Sequence, residues 1–590
     1  MRKICTILLM SMLCLGAMAQ SNYFLANGHD YFFDMDELVA SEGLYLPQNK
    51  PNPFNGSADL YLAVLDAAEV SIAVADVYGN MEAQYVASLE PGIHRLRLTL
   101  RAKGTHVLGV HQNGKSRSIV VICNEGGAMN RIEYAEFVEP IDKELFQQLL
   151  DEVKDEEFVA YGAVQSAKHA QATTADSDFR VALSLSPFTL NQFDAGYTFK
   201  VGDKTATTPA ELQQIYQSLG STEMYVRLAT KRHKTYNADG TLDNTTDGKK
   251  DENANVHTFE QVMQTCRIAA SLNIPINPEV MCAYIYMDMD GTQAPRFSKE
   301  DYPELYATNP TWASILKDGE AKWEELSLDE ICTVLEIYGE FVADSILATG
   351  ATVNDWNLGN EANFGFAGVG IGVPNSFDQK LAKAGPLKRY MSSLFSLWWL
   401  KQHVWCYNVK QYAAIKRGIL KAYTKAGKDA SGVKFSTHIA TVTSTPRATA
   451  SFFNYMMKNG YDLQTAGISY YPSAPAMSFN KKKMLTKTVT RINKKCGVPV
   501  FIGEFSYPSQ DMVGPFAGWN KQLSTYKKDQ QGQADIYRDV IAWGKEHGLI
   551  GIRYWAPDYE GEWYPMSMFT FENKVGTAKT ILLNHKEIVQ

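Results

Sequence analysis

The sequence predicts an α/β fold, a (β/α)8 or TIM barrel preceded by a small all-β sandwich domain. Three observations carry this reading. From Phe179 onward eight apolar strand candidates alternate with helical stretches, the repeat that a closed parallel barrel requires. No Gly-rich phosphate loop follows the first of them, which favours a barrel over an open doubly wound sheet. Ahead of residue 125, short alternating strands are broken by turn residues at sandwich-like spacing. A chain of 590 residues also exceeds one ordinary core, so more than one domain is expected.

In chain order, residues 1–19 read as a cleaved signal peptide. Arg2 and Lys3 make a basic start, Ile4 to Leu15 is an apolar run, and Ala17-Met18-Ala19 is a small-x-small cleavage site. The run is too short to span a bilayer, and no later segment is long and apolar enough to do so. Met12-Leu13 ahead of Cys14 fits a lipoprotein signal badly. The expected location is therefore secreted: periplasmic, cell-surface or extracellular.

Residues 20–125 form the expected sandwich, with strands at Asp59 to Val64, Val70 to Val74 and His94 to Leu98 and turns at Tyr78-Gly79-Asn80 and Glu90-Pro91-Gly92. The run Lys50-Pro51-Asn52-Pro53-Phe54-Asn55 and the strands after it resemble the β-sandwich sorting domain of the type IX secretion route. That domain lies at the C-terminus of its proteins. Its place ahead of the larger domain here points instead to a structural or glycan-contacting module. Residues 126–178, acidic and then rich in Ala, Thr and Ser, read as a linker with one short helix at Asp142 to Val153.

Residues 179–590 form the expected barrel. Its strands are read at Arg180 to Pro187, Met224 to Thr230, Pro275 to Ala283, Val353 to Gly359, Val433 to Ala440, Ala466 to Pro472, Val498 to Phe505 and Leu549 to Trp555. Helices are read at Ala210 to Leu219, Phe259 to Leu272, Asp329 to Leu347, Val409 to Tyr423 and Ala534 to Glu546, with a last one near Gly576 to Leu583.

The net charge of −8 gives no basic footprint, which argues against a nucleic-acid partner. Six cysteines remain after cleavage, scattered and without a CxxC pair, so neither a zinc site nor a disulfide framework follows. Barrel active sites sit at the C-terminal ends of the strands. Strand four ends Trp356-Asn357-Leu358-Gly359-Asn360-Glu361, and strand seven ends Val500-Phe501-Ile502-Gly503-Glu504-Phe505. Each places a glutamate where an apolar strand opens into its loop. Two such carboxyls across one pocket suit glycoside hydrolysis, one as acid and one as nucleophile.

Asn-Glu after strand four and Glu after strand seven resemble the signature of the clan A retaining glycosidases. That resemblance implies Glu361 as acid/base and Glu504 as nucleophile. It implies further roles position by position. Arg227 on strand two would keep the nucleophile ionised, and Asn360 would bond the sugar 2-hydroxyl. Tyr471 would bond the nucleophile, with Tyr470 as the second choice, and Trp555 would lie under the sugar. Within the clan the sequence is most similar to glycoside hydrolase family 53, the endo-β-1,4-galactanases. Gly467-Ile468-Ser469-Tyr470-Tyr471-Pro472, Glu504-Phe505-Ser506-Tyr507-Pro508, Gln531-Gly532-Gln533, Gly548 to Trp555 and Met568-Phe569 to Ala578 follow in that family's order. Ala229 stands where the family has a second arginine, Pro278 to Cys282 lacks its aspartate-histidine segment, and Phe364 to Val404 is a long insertion.

The implied function is a secreted endo-glycosidase acting on a β-linked plant polysaccharide, β-1,4-galactan first, by double displacement. A clan A hydrolase on another β-glycan and a non-catalytic glycan-binding barrel are the alternatives; a structural surface protein is the third. No cofactor or metal is expected. Gly368-Val369-Gly370-Ile371-Gly372 runs into Pro374 with no helix start, so it reads as a flexible active-site loop. Asp288 to Gly291 and Asp243 to Gly248 lack the glutamate that completes a calcium loop. Trp398-Trp399 and Trp405 read either as sugar platforms or as packing for the insertion.

Overall fold

The computed structural model describes residues 22–26, 29–33, 43–47, 49, 51–141, 179–288, 293–385, 388–389, 392, 397–474, 482–520, 523 and 525–590. The expected signal peptide and the linker helix at 142–153 lie outside them. The chain divides into two compact units, Met1–Asp155 with Leu394–Trp398, and Glu156–Ser393 with Trp399–Gln590.

The first unit contains the sandwich. One sheet runs Phe54–Asn55, Lys115–Glu125, Gly104–Gln112, Ala68–Asp76, Met81–Leu89; the other runs Arg131–Glu139, Gly92–Thr99, Ser57–Val64, Leu44–Tyr45. Period-two alternation sends Val70, Ile72 and Val74 from one sheet and Leu60, Leu96 and Leu98 from the other into a shared apolar core. The turn at residues 77–80 is held by Asp76 Oδ1, which accepts from Tyr78 N and Asn80 N at 2.9 Å each. The sandwich extends past residue 125, where the sequence reading ended it. Arg131–Glu139 pairs antiparallel with Gly92–Thr99, Ile132 opposite Leu98. The acidic residues that read as linker sit on a partly exposed face, Glu136 on Arg95 at 2.7 Å.

In the second unit the eight barrel strands are Arg180–Ala182, Met224–Leu228, Ile276–Val280, Trp356–Leu358, Phe435–Ala440, Thr465–Tyr470, Val500–Phe505 and Leu549–Tyr554. They are parallel and hydrogen-bonded in the order 1-8-7-6-5-4-3-2. Strand one is short, and the seam between strands one and two closes largely through side chains. Thr222 Oγ1 accepts from Val181 N at 2.8 Å, and Ser184 Oγ accepts from Tyr225 N at 3.2 Å.

Helix starts follow local chemistry. Thr208, Thr258 and Ser327 each form a capping box with Glu211, Gln261 and Glu330 three residues on. Helices Leu328–Ala348 and Cys406–Lys425 pack closely because Gly418 faces a backbone carbonyl. A Cβ there would lie 2.0 Å from Glu336 O. The expected last helix needs correcting. Val575–Ala578 is a strand paired with Phe569–Glu572 and with Thr198–Val201. Asn573 and Lys574, φ 50° and 63°, make the two-residue hairpin turn, and helix begins only at Thr580. The Gly368 to Gly372 stretch opens with a small hairpin, Gly365–Phe366 on Val369–Gly370. Trp405 is buried against Phe452 and Tyr455, ring centroids 5.6 and 5.9 Å away, so it packs the insertion.

Candidate active site

All six residues singled out in the sequence lie at the C-terminal ends of strands two, four, six, seven and eight. Strand four leaves the barrel through a sharp turn: Gly359 has φ 78° and Glu361 itself φ 44°. That conformation is rare for a glutamate and holds where surroundings over-determine it. The surroundings do so here. Asn363 N bonds Glu361 O at 2.7 Å, and Ala362 N bonds His438 O at 3.2 Å. The Asn363 side chain clasps strand five at both Ala440 N and Ala440 O, 2.8 Å each.

Glu504 is held from three sides. Arg227 Nη2 donates to its Oε1. Tyr471 donates from its hydroxyl to Oε2 at 2.5 Å. His438 Nε2 lies 3.6 Å from Oε1. Asn360 joins the same guanidinium, its Oδ1 accepting from Arg227 Nη2 at 2.8 Å, while its Nδ2 donates to Met287 O. Trp555 packs its ring 4.0 Å from Arg227 Cζ, a cation–π contact. Tyr470, the second choice, is buried on the far side of strand six, 6.3 Å from the ring of Phe505.

Two groups the sequence reading did not single out complete this scaffold. Glu279 on strand three forms an ion pair with Arg227 Nε at 2.6 Å and accepts a hydrogen bond from Tyr225. It also receives Asn357 Nδ2 at 2.9 Å and faces His438 Nδ1 at 3.2 Å. Gly467 and Gly503 on strands six and seven give the His438 side chain its room; a Cβ at Gly467 would meet His438 Cβ at 2.4 Å. The signal available in the sequence was a carboxylate and an imidazole inside barrel strands, which need buried partners there.

The two glutamates are pushed apart electrostatically. Burial raises Glu504, but Arg227, His438 and Tyr471 outweigh it and leave the carboxyl well below the usual range. Burial, then the Glu504 charge, raises Glu361 well above it, against Ser469 and Arg227. One carboxyl is thus kept ionised and the other protonated at the same pH, the division that acid-plus-nucleophile chemistry needs. Among the described residues no cluster of metal-ligating side chains occurs.

The chain is similar to solved fungal β-1,4-galactanases, with 14% identity, TM-score 0.47, 69% of this chain and 99% of that one covered. It is similar to the catalytic domain of a GH53 protein from Ignisphaera aggregans, with 16% identity, TM-score 0.46, 70% and 97% covered. A third is a GH113 β-1,4-mannanase, with 12% identity, TM-score 0.33, 70% and 97% covered. Among curated proteins there is no match. Residues 311–585 match the family model described as Glycosyl hydrolase family 53, and this match marks the chain as a glycoside hydrolase.

Proposed function

We propose that the chain is a secreted, retaining endo-β-1,4-galactanase in which Glu361 is the acid/base and Glu504 the nucleophile. The observation that carries the mechanism is the opposite displacement of the two carboxyls, Glu504 held ionised and Glu361 protonated. Glu504 attacks the anomeric carbon while Glu361 gives its proton to the departing glycosidic oxygen. The glycosyl–Glu504 ester forms as the glycosidic bond breaks. Glu361, now a carboxylate, takes a proton from water, whose oxygen attacks the anomeric carbon and frees Glu504. Arg227 and Tyr471 stabilise the charge on Glu504 before attack and as it leaves. Asn360, oriented by Arg227, bonds the sugar 2-hydroxyl, and Trp555 faces the ring.

Galactan as substrate is supported by the family match, which spans strands four to eight and their loops. The second reading, another β-glycan handled by the same glutamates, rests on strands one to three. These precede residue 311; Ala229 directly follows strand two and Glu279 lies in strand three. Secretion is supported by residues 1–19 of the sequence. Product chromatography after incubation with β-1,4-galactan, glucan, mannan and xylan tests the substrate. Short galacto-oligosaccharides are expected; release from a rival polymer with none from galactan refutes that assignment.

A further inference from the structure

A histidine with no part in the proposed reaction lies near enough to feel the charges of Arg227 and Glu504. His257 lies in the loop between strand two and helix Phe259–Ser271, just before the cap residue Thr258. Its backbone is left-handed, φ 62°, and its carbonyl accepts from Ala229 N at 2.9 Å. The residue is thereby pinned to the C-terminal end of strand two. It is 2% exposed, yet neither ring nitrogen has a hydrogen-bond partner among the described residues. Buried polar groups in folded proteins are nearly always paired, and exceptions call for an occupant or a function.

The ring stands edge-on to Phe188, 6.2 Å between centroids, and near-parallel to Tyr286 at 6.0 Å. Phe188 shares an apolar cluster with Tyr471 and Trp563. The partly exposed Tyr286 has its hydroxyl pushed up by burial and by nearby carboxylates, Glu504 and Glu361 among them. Both neighbours therefore lie close to the glutamate pair, Phe188 through Tyr471 and Tyr286 through the charges it feels. Burial and then the Arg227 guanidinium hold His257 well below the ordinary imidazole range, against Glu504. The ring is neutral, with one nitrogen donating and the other accepting. An anion here would meet Glu504 and a cation would meet Arg227. A hydroxyl, which both gives and takes a hydrogen bond, meets neither penalty.

We propose that His257 is a specificity-determining residue that hydrogen-bonds hydroxyls of the sugar ring seated against Glu504, between Phe188 and Tyr286. This rests on the glycosidase reading above. Its test compares wild type, His257→Gln and His257→Phe on the aryl β-glycoside that the full chain cleaves fastest and on the monodeoxy analogues of that sugar. Melting temperatures are taken with and without the matching tetrasaccharide. Wild type is expected to lose about ten- to a hundredfold in kcat/KM when the hydroxyl read by His257 is removed. His257→Phe should start from that lower value and lose nothing further on the same analogue, while His257→Gln keeps part of the discrimination. His257→Phe should also keep its ligand-free melting temperature, because it removes unpaired buried atoms, and lose tetrasaccharide stabilisation. Should phenylalanine not fold, glutamine carries the comparison. An unchanged deoxy profile, or an equal loss on every analogue, overturns the role of His257 and leaves the glycosidase standing. A wild type that cleaves no aryl glycoside and gains no stability from any tetrasaccharide overturns both.

Discussion

Arg227 on strand two donates through Nη2 to Oε1 of Glu504 on strand seven, across the mouth of the barrel. The same guanidinium is gripped through Nε by Glu279 at 2.6 Å, with both side chains almost wholly buried. One cation therefore serves two carboxylates, one that fixes it and one that it holds ionised. Replacing Arg227 by Met leaves both carboxylates buried without their counter-charge. Glu504 then loses the main influence holding it down, so the acidic limb of the kcat/KM–pH profile is expected to move to higher pH. A limb that stays in place shows that Arg227 does not set the charge state of Glu504.

Glu279→Ala breaks a buried ion pair from the other side. The cost expected for leaving the guanidinium partly uncompensated is about 3–5 kcal/mol, read by chemical denaturation of the folded chain. A change below about 1 kcal/mol, the range of exposed pairs, contradicts the anchoring role.

Tyr471→Phe removes a hydroxyl bonded at 2.5 Å to Glu504 and nothing else. Its ring stays packed 5.3 Å from Trp519 and 5.6 Å from Trp563, so the fold should hold. A hydrogen bond to a charged group contributes about 1.5–3 kcal/mol, which places kcat/KM roughly ten- to a hundredfold below wild type. Full activity in this variant rules out the hydroxyl as a support of the nucleophile.

Glu504→Gln tests the coupling between the two carboxyls. The Glu504 charge is the second cause, after burial, of the upward displacement of Glu361. Neutralising it should lower the pKa at which Glu361 titrates, followed by carbon-13 NMR of glutamate carboxyls with Glu361 assigned by substitution. An unmoved Glu361 indicates that burial alone keeps it protonated.

Much of this was legible in the sequence, for physical reasons. The eight barrel strands are apolar runs bounded by turn chemistry, and Glu361 and Glu504 stand where an apolar strand opens into its loop. The sandwich boundary was misread because Arg131–Glu139 carries its charges on a partly exposed face, as a linker does. The Gly576 helix was misread because Asn573 and Lys574 turn a hairpin without a glycine at either position. Glu279, His438 and His257 were missed for a different reason. Their roles arise from residues far apart in the chain, and the local sequence around a polar residue does not say which partners surround it.

The central claim is that Glu504 takes the sugar. Its most direct test is mass-spectrometric peptide mapping after inactivation with a 2-deoxy-2-fluoro β-glycoside bearing a good leaving group, of the sugar that the protein hydrolyses. The account predicts one covalent sugar, on the peptide containing Glu504. A label on Glu361, or full activity with no label after prolonged exposure, contradicts it.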